Sequence, residues 1–213
     1  MEIELKYTLK SEKQEEEILK SKLIQDYVIP ESGRSIRMEA IYFDTEDYDF
    51  SDNKVIFRLR SEGADEFATV KLKGSAENGL HEREEINAKL KVGTISSLKI
   101  TNKGIERTKE LFSHIGEKNI EDYLFELSKG KKLYPVIKMS FQRTLVLVKN
   151  DDFKAEVAFD SGFSYCKDTK SRILEMEIEL KEGEKDGMIE FSGKIKDEFG
   201  LKEENLSKVE QIL

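Results

Sequence analysis

The stretch Glu2-Ile3-Glu4-Leu5-Lys6-Tyr7-Thr8 sets the charged residues 2, 4 and 6 against Ile3, Leu5 and Tyr7. Alternation with period two predicts a strand with one charged and one apolar face. The pattern recurs along the chain. Residues 36–44 end in Ile41-Tyr42-Phe43-Asp44, and 54–60 set Arg58 and Arg60 against Phe57 and Leu59. Residues 66–73 set Lys71 and Lys73 against Val70 and Leu72, and 80–87 carry His81, Arg83 and Glu85 at alternate positions. With 135–148, 153–160 and 172–180, this predicts eight strands. Asn150-Asp151-Asp152 and Ser161-Gly162 supply turn chemistry between the last of them.

Helices are predicted in the gaps. Ser11-Glu12-Lys13-Gln14 reads as a capping box opening a helix over 12–20. Residues 104–128 space Ile105, Leu111, Phe112, Ile115, Tyr123, Leu124 and Leu127 as one or two helices. Residues 184–199 form a further helix, stopped by Gly200. No repeat, low-complexity tract or Pro/Ser-rich linker divides the chain, so residues 1–213 are read as one domain.

The composition narrows the classes of function. Lys and Arg number 36 and Asp and Glu 44 in 213 residues, a charged fraction that by itself raises the question of disorder. Only two prolines, and 12 Phe and 7 Tyr set among Val, Ile and Leu, argue for a folded chain. A net charge of −8 disfavours nucleic-acid binding through a broad basic face. Cys166 is the one cysteine, which excludes an intrachain disulfide and a Cys-based zinc cluster. No apolar run approaches the ~20 residues that span a bilayer. The acidic start enters a strand pattern at once and is no signal peptide, so a soluble, cytoplasmic protein without a membrane partner is expected.

The charge is sorted by sign along single strands: Glu2 and Glu4, Arg58 and Arg60, Lys71 and Lys73, then Glu175, Glu177 and Glu179. Residues i and i+2 on one face stand about 6.6–6.8 Å apart, so like charges there repel. Repeated sorting points to ligands of opposite charge. Carboxylate clusters suit hard divalent cations. Paired Lys and Arg suit phosphate oxygens. The opposite faces are apolar and need cover from the helices. An open sheet with a charged face and a closed barrel with a charged lumen both satisfy the pattern. The barrel is favoured because both signs meet across it, and eight strands enclose room for one small ligand. The expected fold is therefore α+β, a closed eight-stranded antiparallel β-barrel with a charged lumen and helices packed outside.

Several motifs, in order along the whole chain, resemble those of the CYTH superfamily, the triphosphate tunnel metalloenzymes. Glu2-Ile3-Glu4-Leu5-Lys6 is similar to its N-terminal Glu-x-Glu-x-Lys signature. Tyr42-Phe43-Asp44-Thr45, Phe57-Arg58-Leu59-Arg60 and Thr69-Val70-Lys71-Leu72-Lys73 follow. Gly79-Leu80-His81-Glu82-Arg83-Glu84-Glu85 resembles the bacterial inorganic triphosphatase branch. Glu156 to Gly162, Glu175 to Glu179 and Leu206-Ser207-Lys208 complete the set.

The resemblance implies an eight-stranded tunnel that grips a triphosphate, with Mg²⁺ or Mn²⁺ as cofactor. It implies metal ligation by Glu2, Glu4, Glu175 and Glu177, with Glu85, Asp160 and Glu179 as further acidic members. It implies phosphate binding by Lys6, Arg58, Arg60, Lys71, Lys73, Arg83, Arg143 and Lys208. Turnover is expected to depend on Glu2, Glu4, Lys6 and Glu177. The implied activity is metal-dependent hydrolysis of tripolyphosphate to diphosphate and phosphate. A class IV type adenylate cyclase, a nucleoside or thiamine triphosphatase, and a non-catalytic polyphosphate-binding module are the alternatives. The partner is a small polyanion, and oligomerisation is left open. Asp44 is read as a structural or turn residue, Cys166 as an inert small residue and His81 as a polar lining or satisfied histidine and no metal ligand. Glu12, Glu15, Glu16 and Glu17 read as a solvated helix face.

Overall fold

Long alternating segments with little Gly or Pro favour long antiparallel hairpins, and the three longest strands of the chain are consecutive. The computed structural model describes residues 1–212. Its strands are β1 (Glu2–Thr8), β2 (Arg34–Asp44), β3 (Ile56–Glu62), β4 (Asp65–Lys71), β5 (Ser75–Glu77), β6 (Leu80–Arg83), β7 (Glu85–Leu90), β8 (Tyr134–Lys149), β9 (Phe153–Cys166), β10 (Thr169–Gly183) and β11 (Lys202–Glu203). Its α-helices are α1 (Glu12–Lys20), α2 (Lys22–Gln25), α3 (Asp49–Asp52), α4 (Thr94–Ser97), α5 (Thr108–Phe112), α6 (Lys118–Leu127) and α7 (Lys185–Phe199). The strands pair antiparallel in the order β5-β6-β1-β10-β9-β8-β2-β3-β4-β7, with β11 also on β1.

The sheet is barrel-like, but it is not the closed eight-stranded barrel expected from the sequence. The predicted strand over 80–87 divides at Glu84: β6 pairs with β1 and β7 pairs with β4. These two strands lie towards opposite ends of the hydrogen-bonded path, so the chain itself, not a ladder, carries the sheet across the seam. The Glu84 carbonyl accepts the Leu72 N–H at 2.9 Å, a bond outside the regular ladders. The short β5 adds an edge beyond β6.

Two apolar layers fix the curvature from outside. Leu5, Tyr7, Phe159, Met176 and Ile178 on β1, β9 and β10 pack with Ile18 of α1 and Met188, Phe191 and Ile195 of α7. Phe57, Leu59, Val70 and Ile86 on β3, β4 and β7 pack with Leu111, Phe112 and Leu124. Each such side chain contributes about 1.5–3 kcal/mol when fully buried. A third cluster joins Met38, Ala40, Tyr42, Met139 and Phe141 of β2 and β8 to Ile212 near the C-terminus. It draws the C-terminal segment against the sheet, which is what positions Lys208.

Local sequence chemistry explains the element ends. Ser11 Oγ accepts the Gln14 N–H at 3.3 Å, and Gln14 Oε1 reaches back to the Lys10 N–H at 2.8 Å. Asn150 Oδ1 accepts the N–H groups of Asp152 and Phe153, turning β8 into β9. Gly200 ends α7 in the left-handed region, φ 59°. Ser161-Gly162 departs from expectation: it lies inside β9, paired with Gln142 and Phe141 of β8. A Cβ on Gly162 would press into the Phe141 Cα and the Ser140 carbonyl oxygen, so this glycine serves close strand approach and not a turn. Gly162→Ala is therefore expected to lose ~1–3 kcal/mol in urea unfolding, with no loss if the strands part freely.

Candidate active site

The charged faces converge on one cavity of about 510 Å³. Register, more than any single residue, brings the signs together. Lys6 faces Glu177 across β1 and β10, Glu2 faces Arg83 across β1 and β6, Arg143 faces Asp160 across β8 and β9, and Lys71 faces Glu85 across β4 and β7. Opposite charges directly across a ladder stabilise it, and like charges there destabilise it. Glu4 opposite Glu179, Glu179 opposite Glu156 and Glu175 opposite Asp160 are like-charged pairs at the site.

Lys6 is almost fully buried and sits 3.6 Å from Glu4 and 3.1 Å from Glu177. Burial alone would lower its pKa, but Glu4, Glu177 and Glu175 hold it above the ordinary lysine value. Arg143 makes a fork to Asp160, both bonds 2.7 Å, and reaches Glu177 at 2.6 Å. Lys208, delivered by the C-terminal segment, contacts Asp160 at 2.9 Å and Glu177 at 2.7 Å, and also touches Glu175. On the other wall Lys71 bonds both oxygens of Glu2, at 2.8 and 2.9 Å, and touches Glu85. Arg83 joins Glu2 at 3.0 Å to Glu4 at 3.3 Å.

Two cations stand outside this dense pairing. Arg58 donates to Tyr42 Oη at 3.1 Å and lies 3.9 Å from Glu85. Arg60 pairs with Glu62 at 2.9 Å. The buried Nε of each has no hydrogen-bond partner among the described residues. Burial and the neighbouring Arg58 lower the pKa of Arg60. A buried guanidinium donor without a partner is costly, and an anion in the cavity relieves that cost.

The carboxylates divide by environment. Burial raises Glu2 and Glu175 despite their lysine neighbours, whereas Glu4 and Glu85 are lowered by cations that outweigh their burial. Burial alone would raise Glu177, but Lys208, Lys6 and Arg143 hold it well below its ordinary 4.5. A depressed folded-state value means that these ion pairs stabilise the protein fully above about pH 4.5 and are lost progressively as the pH falls from there through the depressed value. The melting-temperature gap between wild type and Glu177→Gln is therefore expected to shrink as the pH drops from about 6 to about 3. A gap constant over that range would contradict the pairing.

Strand pairs crowded with cations on one side and carboxylates on the other, around a single cavity, agree with a sequence match along almost the whole chain: residues 1–212 fit the CYTH domain model. The chain belongs to the CYTH family. It is 30% identical over 150 residues to an inorganic triphosphatase of Haemophilus influenzae, a match over 70% of this chain and 38% of that protein. The chain thus corresponds to well under half of that relative's length. Among solved structures, a Hippeastrum protein described as having a dominant triphosphatase activity superposes with a TM-score of 0.66. It is 17% identical, with 98% of this chain and 93% of that chain covered. A Pyrococcus horikoshii protein superposes with a TM-score of 0.56 at 18% identity, covering 99% and 97%. At these identities the superpositions establish the CYTH fold alone.

Within this CYTH site, Glu2, Glu4, Lys6, Arg58, Arg60, Lys71, Arg83, Glu85, Arg143, Glu177, Glu179 and Lys208 all line the cavity. Asp160 and Glu175 are buried behind the wall and meet the cavity through Arg143 and Lys208. Lys73 is a correction: β4 ends at Lys71, and Lys73 is exposed and lines no part of the cavity. The Leu72 bond to Glu84 closes the ladder, and the chain then passes through Gly74, so the alternation that placed Lys73 beside Lys71 stops short of it. Tyr42, Glu62, Asn87 and Glu156 also line the cavity, although the sequence motifs do not single them out for it. For Glu156 a signal exists, since period two from Asp160 puts it on the same face. His81 Nε2 shares a hydrogen bond with the Glu204 carbonyl oxygen at 2.8 Å, and Asp44 accepts the N–H groups of Thr45, Phe50 and Ser51, so both are satisfied structurally.

The acidic set fits a hard divalent cation by its donors. Asp160, Glu175 and Glu177 each offer a carboxylate oxygen within 4.8 Å of the others. Glu2 and Glu4 add hard oxygens on the adjoining wall, and among the described residues no His or Cys joins the group.

Proposed function

We propose that the protein hydrolyses inorganic triphosphate to diphosphate and phosphate, with Mg²⁺ or Mn²⁺ held by Glu2, Glu4, Glu175 and Glu177. Asp160 behind the wall and Glu85 and Glu179 on it are further acidic members, paired with Arg143, Lys71 and Lys181. The observation that carries the reading is the cavity wall on which Arg58 and Arg60 present unpartnered buried donors opposite paired carboxylates. A pure cation store has no use for those donors, and a pure anion binder has no use for the carboxylates.

A triphosphate is a dense polyanion, and its hydrolysis proceeds by in-line displacement with charge spread over the transferred group. Arg58, Arg60, Lys71 and Arg83 bind the non-bridging oxygens and hold the chain along the cavity. Lys6, Arg143 and Lys208 neutralise charge on the departing diphosphate, preorganised for that by Glu177 and Asp160. Water attacks the terminal phosphorus, its P–O bond forms as the bridging P–O bond breaks, and the water's proton passes to the carboxylate set. When bound, the divalent cation supplies Lewis-acid polarisation and lowers the pKa of a water ligand. No nucleophilic side chain of the Ser or Cys type is required.

In this reading the protein is a single domain over 1–213 that meets a small-molecule polyanion in the cytoplasm. No helix of the described residues is long and apolar enough to cross a membrane. The test is phosphate release from tripolyphosphate and from ATP, with Mg²⁺, with Mn²⁺ and after chelation. Metal-dependent release from tripolyphosphate is the expected result. Cyclic AMP formed from ATP, without phosphate release, would replace this reading by the cyclase.

A further inference from the structure

Asn87 stands on the cavity wall at the end of a row that register sets across three strands. Arg58 on β3 faces Thr69 on β4, and Thr69 faces Asn87 on β7. Glu85 lies two residues before Asn87 on the same strand face, opposite Lys71. The hydrogen bonds fix which way the amide points. Asn87 Nδ2 donates to Glu85 Oε1, and an ionised carboxylate only accepts, so the amide oxygen faces the other way. There it accepts the hydroxyl of the fully buried Thr69 at 2.6 Å.

Glu85 Oε1 is the same atom that lies 3.9 Å from Arg58 Nη2, short of a hydrogen bond although the two groups carry opposite charge. Arg58 Nη1 already donates to Tyr42 Oη at 3.1 Å. Were Glu85 to close the remaining distance, a carboxylate would take the side of the guanidinium that Nη2 presents. We propose that Asn87 is a positioning residue that holds Glu85 back from Arg58 and so keeps the Arg58 guanidinium open to a phosphate. The role rests on the triphosphate reading of the cavity and adds to it the residue that keeps two opposite charges apart. Asn87 can do this because its amide is a neutral donor, which satisfies Glu85 without adding a charge to the wall. Its loss weakens phosphate binding and leaves bond breaking alone, so the effect falls on KM and not on kcat.

The experiment compares wild type, Asn87→Leu, Asn87→Asp, Glu85→Gln and the double variant Asn87→Leu/Glu85→Gln. The readouts are kcat and KM for tripolyphosphate, its Kd by calorimetry after chelation of metal, and the melting temperature. Asn87→Leu is expected to raise KM and Kd about tenfold with kcat within about twofold of wild type. Asn87→Asp keeps the acceptor for Thr69 but sets a second carboxylate against Glu85, and a larger rise is expected. Added to Glu85→Gln, Asn87→Leu is expected to raise KM by less than about twofold, because the carboxylate that would capture Arg58 is gone. An unchanged KM and Kd in Asn87→Leu overturns the proposal. So does an equal rise with and without Glu85→Gln, since the action then does not pass through Glu85. If Asn87→Leu melts far below wild type, Asn87→Asp, which keeps the bond to Thr69, decides by its own KM and Kd. Absence of tripolyphosphate turnover in wild type, with this pattern of Kd intact, overturns the triphosphatase reading and leaves the role of Asn87 standing.

Discussion

Lys6→Met is expected to cost about 3–5 kcal/mol of folding stability and to abolish tripolyphosphate turnover. Burial is the reason: Lys6 is 1% exposed, and its ammonium lies between Glu4 and Glu177. Methionine keeps most of the volume and loses the charge, so two buried carboxylates lose a shared countercharge. Their response is protonation or local opening, and either one disarms the acidic set. Urea denaturation at about pH 7 measures the stability term, and a partial recovery at about pH 5 is expected because protonated carboxyls no longer repel. A Lys6→Met protein as stable as wild type and equally active would contradict the charge lattice.

The second large effect falls on the opposite wall and has the opposite signature. Arg58→Ala is expected to lower kcat/KM for tripolyphosphate by about 10²–10³ while changing stability by less than about 1 kcal/mol. Arg58 is held by Tyr42 and only distantly by Glu85, and its Nε has no partner among the described residues, so the folded protein loses little when it goes. A bound phosphate loses a guanidinium fork. Arg58→Lys restores charge but not the fork, and recovery of only a small part of the lost rate is expected. Steady-state kinetics paired with thermal melts separates the two terms. A variant that melts far below wild type, or that retains full activity, would remove Arg58 from the phosphate wall.

Much of the fold is legible in the sequence because each strand has one apolar and one charged face, and period two survives wherever the ladder is regular. The charged faces, together with the motifs that resemble the CYTH family, point Glu2, Lys6, Arg58, Lys71, Arg83 and Glu177 to one site, and all six line one cavity. The seam is not legible. Alternation runs unbroken through His81, Arg83, Glu85 and Asn87, although the partner changes from β1 to β4 at Glu84. Side-chain period carries no record of which strand lies alongside. Lys73 fails for a related reason: alternation does not announce where a ladder ends. Gly162 reads as a turn because glycine marks both turns and close strand approach, and only the Phe141 backbone beside it tells them apart. Tyr42 carries no charge signal, since its role follows from lying across the ladder from Arg58.

The most direct measurement of the central claim is phosphorus-31 NMR of tripolyphosphate incubated with the protein and Mg²⁺, followed by a parallel sample with Arg58→Ala. Hydrolysis in the charged cavity predicts loss of the triphosphate signals with one diphosphate and one phosphate formed for each triphosphate consumed, and a far slower course in the variant. Unchanged triphosphate signals in wild type, or equal rates in both samples, would contradict it.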